Sequence, residues 1–154
     1  MYERILVALG GSPCSVVALR HATQLALAQG SKLRLLHVIN EVGPNVGHPR
    51  IPEKFWKAKR RAGKRILNSA KSRAAKSGAE AEAKMLEIAT MGTLVRHIPE
   101  VIVKEAERWP ADLVVIGTHG GRGLNRFLLG SVADGVLRRS SVPVLLVRGK
   151  TARP

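Results

Sequence analysis

The chain of 154 residues is poor in several residue types, and each shortage excludes a class of protein. A single cysteine, Cys14, excludes an internal disulfide framework and is typical of a reducing compartment. Aromatic residues make up 3% of the chain, too few for the base-stacking surface of a single-strand-binding protein. No apolar run approaches the roughly 20 residues that cross a bilayer, and the N-terminal run is shorter than a signal peptide core. We therefore expect a soluble, cytoplasmic protein.

Acidic residues are scarce as well. Eleven Asp and Glu stand against 26 Lys and Arg, which gives a formal net charge of +15 and a pI near 11.3. The positive electrostatic field of such a chain attracts polyanions in general and does not indicate which one binds. Hydrophobic residues make up 45% of the chain, which excludes a disordered protein. We expect one domain over residues 1–148, followed by a basic tail over 149–154.

Short apolar runs alternate with longer segments of helical period, a pattern typical of βαβ units and a parallel sheet. The runs predict strands over 5–9, 32–39, 80–88, 112–117 and 142–147. Ser12 and Pro13 predict the start of the first helix and Gly30 its end. A loop over 40–52 precedes a long second helix from Glu53 to Lys76. Apolar residues at helical spacing are expected to face inward. On the second helix they are Phe55, Ala62, Ile66 and Ala70. On the third they are Ile98, Val101, Ile102 and Ala106, and on the fourth Val132, Ala133, Val136 and Leu137.

The predicted strands differ in their exposure. The third begins with alternating polar and apolar residues, which indicates a half-exposed strand, whereas the fourth is apolar throughout and is expected inside the sheet. The fifth is also apolar, although a last strand often lies at an edge. An apolar edge favours association unless it is covered or paired. We therefore expect a homodimer joined through the fifth strand, over 142–148.

The segment GTHGGRGLNRFLLGS, over 117–131, follows the fourth strand directly. Its first glycines allow a tight turn and a close backbone approach to a ligand, and Gly130 with Ser131 opens the fourth helix. The first N–H groups of that helix suit a phosphate, with charge-assisted contacts from Arg122 and Arg126. His119 either hydrogen-bonds a ligand or only shapes the loop.

The spacing Gly117-x2-Gly120-x9-Gly130-Ser131 resembles the nucleotide-binding signature of the universal stress protein family. The segments ILVALGGS, LRLLHVI, ADLVVIGTHG and LLGSVADGVLRRSSVPVLLVR extend the resemblance along the chain. It implies a Rossmann-like sheet of order 3-2-1-4-5, dimers joined through strand five, and binding of ATP, with or without Mg, or of another adenine nucleotide. The residues it implies are Gly117, Gly120, Gly130, Ser131 and Val132 for the phosphates, and Ala8, Leu9, Gly10 and Val38 for the adenosine.

Two segments depart from the family pattern. Gly10 stands where nucleotide-binding members usually carry an Asp, so a polar anchor for the ligand is missing. In EIATMGTLVRHIPEV the glycine turn before the third helix is not spaced as in the family. Two interpretations stay open: a dimeric stress protein that binds ATP, and a nucleotide-free interaction protein of the same fold.

The sequence does not predict an enzyme. Hydrolysis of ATP needs a positioned base or water-orienting group and usually a metal site. Of the two Asp, Asp112 precedes strand four at the wrong end of the sheet, and Asp134 lies where it complements a helix dipole. The five His have no metal-ligand spacing, so we expect no metal site. Cys14, in the first turn of the first helix, is interpreted either as a redox-reactive thiol or as a small buried residue.

The segment 50–76 is strongly basic, with 11 Lys or Arg and one acid, Glu53. One interpretation is a footprint for nucleic acid or another polyanion, bound without sequence preference and released by salt. The other is a solvated helix face without a ligand. No known DNA-reading motif accompanies the charges, which favours the second interpretation.

Overall fold

Five parallel strands form one sheet in the order β3-β2-β1-β4-β5, which confirms the predicted fold class and strand order. The computed structural model describes residues 1–40, 52–88, 98–119 and 129–149. The strands are β1 (Arg4–Ala8), β2 (Lys32–Asn40), β3 (Ala81–Ile88), β4 (Leu113–Gly117) and β5 (Val144–Val147). Residues 41–51 of the predicted loop over 40–52, the irregular turn before the third helix and most of the glycine loop lie outside the described residues.

Four helices connect the strands, and their bounds follow local signals in the sequence. They are α1 (Pro13–Gln29), α2 (Glu53–Lys76), α3 (Ile98–Arg108) and α4 (Ser131–Arg139). Ser12 caps α1 by accepting a hydrogen bond from Ser15 N on its Oγ at 3.2 Å. Gly30 ends that helix in the left-handed conformation, at φ 70°. Within the described residues, no helix is both long and apolar enough to cross a membrane.

The sheet has a hydrophobic core on each face because successive side chains of a strand point to opposite sides. Ile5 and Val7 of β1 pack toward α1 and α2. Leu6 and Ala8 pack toward α3 and α4. All four side chains are buried, which places β1 at the centre of the molecule. The interior position predicted for β4 is confirmed, since it pairs with β1 on one side and β5 on the other.

Two inward positions were predicted wrongly, one on α2 and one on α4. Phe55 is 53% exposed, whereas the adjacent Trp56 is 8% exposed. Successive helical residues lie about 100° apart, so only one of the two can join the buried stripe. The same reason places Leu137 outside at 46% exposure, while Val136 is fully buried.

Asp112 ties the starts of β1 and β4 together. Its Oδ2 accepts hydrogen bonds from the backbone N–H groups of Glu3 and Arg4, each at 2.8 Å. The backbone N–H of Asp112 donates in turn to Arg4 O at 2.8 Å. Asp112 therefore lies at the amino end of the sheet and stabilises the fold there.

Replacing Asp112 with Ala should lower the free energy of unfolding by about 1–3 kcal/mol, because two backbone donors lose a charged acceptor. Asp134→Ala is the matched control, since its carboxylate only pairs with the exposed Arg138 at 2.9 Å. That loss should cost about 0–1 kcal/mol. Urea denaturation of both variants measures the difference, and equal costs would contradict the role given to Asp112.

Candidate functional site

A cavity of about 270 Å³ lies at the carboxyl ends of β1, β2 and β4, beside α3 and the start of α4. The strand order reverses at this point, because β2 follows β1 on one side of it and β4 is added later on the other side. In open parallel sheets this crevice is where ligands bind. The fold therefore places the cavity at the position expected of a binding site.

Nine of the eleven predicted site residues line this cavity. They come from the end of β1, from β2, from the end of β4 and from the start of α4: Ala8, Leu9, Gly10, Val38, Gly117, His119, Gly130, Ser131 and Val132. Gly120 and Arg122, together with Arg126, lie outside the described residues. The structure thus brings together four separate segments of the chain, although it holds no ligand that would test their roles.

The start of α4 presents backbone donors to the cavity. The first bond of the helix runs from Asp134 N to Gly130 O at 2.9 Å, so the amides of residues 131–133 precede the helical ladder. Gly130 is extended, with φ −60° and ψ 150°, and no side chain caps the helix. Gly130 N donates to Thr118 O at 2.7 Å, which fixes this helix end against the end of β4. Such amides, at the positive end of the helix dipole, suit an anion.

His119 is held in place by hydrogen bonds to Ser12 and Thr118. Its carbonyl oxygen accepts a hydrogen bond from Ser12 Oγ at 3.2 Å. Thr118 Oγ1 lies 2.8 Å from the Nδ1 atom of the His119 ring. The Nε2 atom is buried and has no hydrogen-bond partner among the described residues. A buried polar atom without a partner is one that a ligand or a water molecule would satisfy.

The opposite wall of the cavity is apolar, and sequence reasoning did not assign most of it to the site. Its side chains come from β2, β4 and α3: Leu36, Val38, Ile98, Ile102 and Ile116. Ile98 and Ile102 were predicted as an inward stripe of α3, but their helical spacing alone did not indicate a cavity. His37 was missed as well, and its Nδ1–H donates to Leu9 O at 2.6 Å. This bond joins the ends of β1 and β2 beside the cavity.

Packing requires a glycine at position 117 but not at position 10. A Cβ on Gly117 would lie 2.9 Å from Cys14 Sγ and 3.1 Å from the Cys14 carbonyl carbon, so α1 packs directly on this backbone. The sequence predicted a glycine there for a tight turn and close approach to a ligand, and the structure adds helix packing as a requirement. Around Gly10, by contrast, a Cβ would have no neighbour within 4 Å.

Cys14 is buried beneath the end of β4, at 7% exposure. Its thiol donates to Val147 O at 3.1 Å, which joins α1 to the end of β5. These contacts are those of a small packing residue that also donates a hydrogen bond. They favour the second of the two interpretations given to this cysteine.

The described residues contain no group of three or more His, Cys, Asp or Glu side chains placed to hold a metal ion. The part of the cavity wall that is described contains no carboxylate either. A Mg ion at this site would therefore depend on the phosphate oxygens of its ligand and on water.

Residues 1–148 match the family model described as the universal stress protein family. The chain belongs to this family. It is 34% identical to the universal stress protein YxiE of Bacillus subtilis over 156 residues, covering 96% of this chain and all of YxiE. It is 33% identical to the universal stress protein MJ0531 of Methanocaldococcus jannaschii, covering 96% of this chain and 83% of that protein.

Two similar solved structures contain adenine nucleotides. A universal stress protein in complex with cAMP superposes with a TM-score of 0.70 at 28% identity, covering 97% of this chain and 99% of that one. A universal stress protein from Archaeoglobus fulgidus in complex with dAMP gives a TM-score of 0.66 at 28% identity, covering 95% and 98%. Members of the family with this fold therefore bind adenine nucleotides.

Gly117→Ala should lower the free energy of unfolding by about 1–3 kcal/mol, because the added methyl group forces α1 away from β4. Gly10→Ala should change it by no more than about 0.5 kcal/mol, since that methyl group meets open space. Thermal and urea unfolding of the two variants provide the comparison. An unchanged Gly117→Ala protein would show that the contact with Cys14 relaxes at little cost.

Proposed function

We propose that this universal stress protein binds ATP or another adenine nucleotide in the cavity at the carboxyl ends of β1, β2 and β4. The observation that carries the proposal is the pairing of two unlike walls. One presents the first amides of α4 and the His119 Nε2 atom, which have no hydrogen-bond partner among the described residues, and the other is aliphatic. A phosphate suits the first wall and a purine ring the second. The family members solved with cAMP and dAMP support the same ligand class.

In this proposal, the phosphates lie over Gly130, Ser131 and Val132, against the start of α4. Gly120 and Arg122, outside the described residues, are predicted to close this side of the site. The adenosine lies against the ends of β1 and β2, where Gly10 and Val38 line the cavity. Backbone groups would carry most of the recognition, so few side-chain identities are needed.

We propose a regulatory role rather than catalysis, with at most slow, incidental hydrolysis of ATP. Hydrolysis requires a group that orients water or accepts its proton. The described wall of the cavity contains no carboxylate. Asp112, which the sequence placed at the far end of β4, is hydrogen-bonded to the backbone at the start of β1.

We also propose that the protein works in the cytoplasm. The buried, unpaired thiol of Cys14 suits this reducing compartment.

The nucleotide-free alternative depends on Gly10, which replaces the family's usual Asp. Gly10 is exposed, and a side chain there would meet open space beside the cavity. Its φ is not positive, so a larger residue can adopt the same backbone conformation. An Asp at position 10 is therefore sterically allowed. The Gly10→Asp variant tests whether the missing carboxylate limits the affinity for nucleotide.

Ser131→Asp should weaken nucleotide binding without harming the fold. The new carboxylate competes with phosphate for the amides of α4 and repels it, which should weaken ATP binding about tenfold or more. The same charge complements the helix dipole and should raise the free energy of unfolding by about 0.3–1 kcal/mol. Isothermal titration with ATP, AMP and cAMP, beside urea denaturation, measures both effects.

Ser131→Ala is the matched control, since it removes the hydroxyl group and adds no charge. It should retain most of the affinity, because the backbone amides are unchanged. If Ser131→Asp binds ATP as tightly as the wild type, the phosphates do not lie at α4. If the wild type binds no adenine nucleotide and Gly10→Asp does, the nucleotide-free alternative is correct for this chain.

We further propose a homodimer joined through β5, within residues 142–148. In the order of the sheet β5 is an edge strand, and Val144, Leu145 and Leu146 are only partly buried. The carbonyl groups of Pro143 and Val147 accept bonds from β4. Because alternate residues of a parallel strand bond to opposite sides, the backbone groups of Val144 and Leu146 point away from β4. A second copy of β5 would pair with them.

Leu146→Pro should convert the dimer to a monomer, because it removes an N–H that points away from β4 and leaves the bonds to β4 in place. Leu146→Ala keeps that N–H and should remain dimeric if main-chain pairing joins the subunits. Light scattering at micromolar concentration gives the mass of each protein, and circular dichroism checks the fold. A monomeric wild type, or a dimeric Leu146→Pro protein, would contradict pairing through β5.

A further inference from the structure

A second concave surface lies between α1 and α2, on the face of the sheet away from α3 and α4. Two adjoining depressions of about 260 Å³ and 500 Å³ share Val16, Leu19 and Arg73 and together form one groove. We refer to this surface, from Gly11 at one end to Ser77 at the other, as the α1–α2 groove. The nucleotide-binding proposal does not use it.

The α1–α2 groove contains aliphatic side chains from both helices among polar ones. Leu19 and Ala70 are buried in its floor, where they belong to the core beneath α1 and α2. Val16 and Leu27 stand along α1 with 41% and 48% of their surfaces exposed. They are 11 positions apart, about 16 Å along the helix, which equals some three helical turns. Together with the partly buried Val17 and Ile66, which also line the groove, they leave apolar surface that a partner could cover.

Four cations surround the groove, and no acid accompanies them. Its lining includes Arg20 of α1 and Arg65, Arg73 and Lys76 of α2. All four are exposed, and none forms an ion pair with another described residue. The helix α1 contains no Asp or Glu, and α2 contains only Glu53, in its first turn. The groove therefore combines an apolar centre with a purely positive rim.

Cations on the other side of α2 behave differently. Arg60 lies toward β3 and bonds to Glu87 at 2.6 Å, and this ion pair lowers the pKa of the Glu87 carboxyl group. The chain thus provides an internal acidic partner where α2 meets β3, and none along the groove. An external partner that covers the α1–α2 groove would have to bring its own negative charges.

We infer that the α1–α2 groove docks an acidic amphipathic helix of a partner protein. Aliphatic residues on one side of such a helix would cover Val16, Leu19 and Leu27, and Asp or Glu on its flanks would pair with the arginines and Lys76. This is the helix-in-groove mode of recognition, with anchors at helical spacing. A nucleic acid fits less well, because the groove lining contains no aromatic ring and phosphates would leave the aliphatic side chains uncovered.

A designed peptide tests the inference. The probe is a fluorescent 14-residue helix with leucines along one side and glutamates on both flanks, and a scrambled peptide of equal composition is the reference. We expect micromolar binding of the designed peptide by fluorescence anisotropy, weakened by salt, and at least about tenfold weaker binding of the scrambled peptide. No binding of the designed peptide at 100 micromolar protein, or equal binding of both peptides, would overturn the inference.

Matched variants assign the contact to the groove. Val16→Ser/Leu27→Ser removes two exposed aliphatic side chains, and Arg65→Gln/Arg73→Gln removes two cations of the rim. Each should weaken binding about tenfold. Lys57→Gln/Lys64→Gln removes the same charge from exposed positions of α2 outside the groove and should change affinity less than about twofold. All six positions are at the surface or partly exposed, so circular dichroism should show unchanged folds.

The same variants distinguish the groove from a general attraction to polyanions. An oligonucleotide and vesicles with phosphatidylserine are tested beside the peptide at two salt concentrations. If they bind as tightly as the peptide, and the Lys57/Lys64 variant loses as much affinity as the Arg65/Arg73 variant, α2 acts as a polyanion surface and the inference is wrong. A loss confined to the groove variants supports helix docking.

Discussion

Main-chain hydrogen bonds at the carboxyl edge of the sheet are the constraint on which the rest of this molecule depends. Leu9 N donates to Leu36 O at 2.9 Å, just beyond the end of β1, and Thr118 N donates to Val147 O at 2.9 Å, just beyond β4. Gly130 N then donates to Thr118 O, which anchors the start of α4. The first two bonds continue the sheet into residues beside the cavity and the third anchors a helix there, so backbone bonds position the described part of the site.

The charges of the chain are distributed unevenly between the two faces of the sheet. On the face of α3, the buried Glu105 accepts hydrogen bonds from Arg34 at 2.7 Å and from Lys84 at 2.9 Å. Arg34 also stacks on Trp109, with 4.5 Å between the guanidinium carbon and the ring centroid. On the face of α1 and α2, the cations of the groove have no such acids. The bonds from Arg34 and Lys84 both go to one carboxylate oxygen of Glu105, and its other oxygen is buried without a hydrogen-bond partner among the described residues.

Much of the fold and of the site was predictable, because local signals agree with one another. The bounds of α2, the cap at Ser12 and the left-handed Gly30 follow from single residues and their immediate neighbours. The strand order and eight of the nine predicted cavity residues followed from the family resemblance carried by the glycine spacing, and His119 followed from its place in the loop. Phe55 was misplaced because two adjacent aromatic residues do not by themselves indicate which one faces inward, and only the fold shows that Trp56 is the buried one.

By itself, the sequence determined where the strands and helices lie, which glycines open the loop after β4, and how strongly basic the chain is. These properties depend on residue type and short spacing. Only the tertiary structure decided that Gly117 must accommodate Cys14, that the His119 Nε2 atom is buried with no partner among the described residues, and that α1 and α2 leave a groove between them. Such features arise where segments far apart in the chain pack together, and no local pattern of residues specifies those distances.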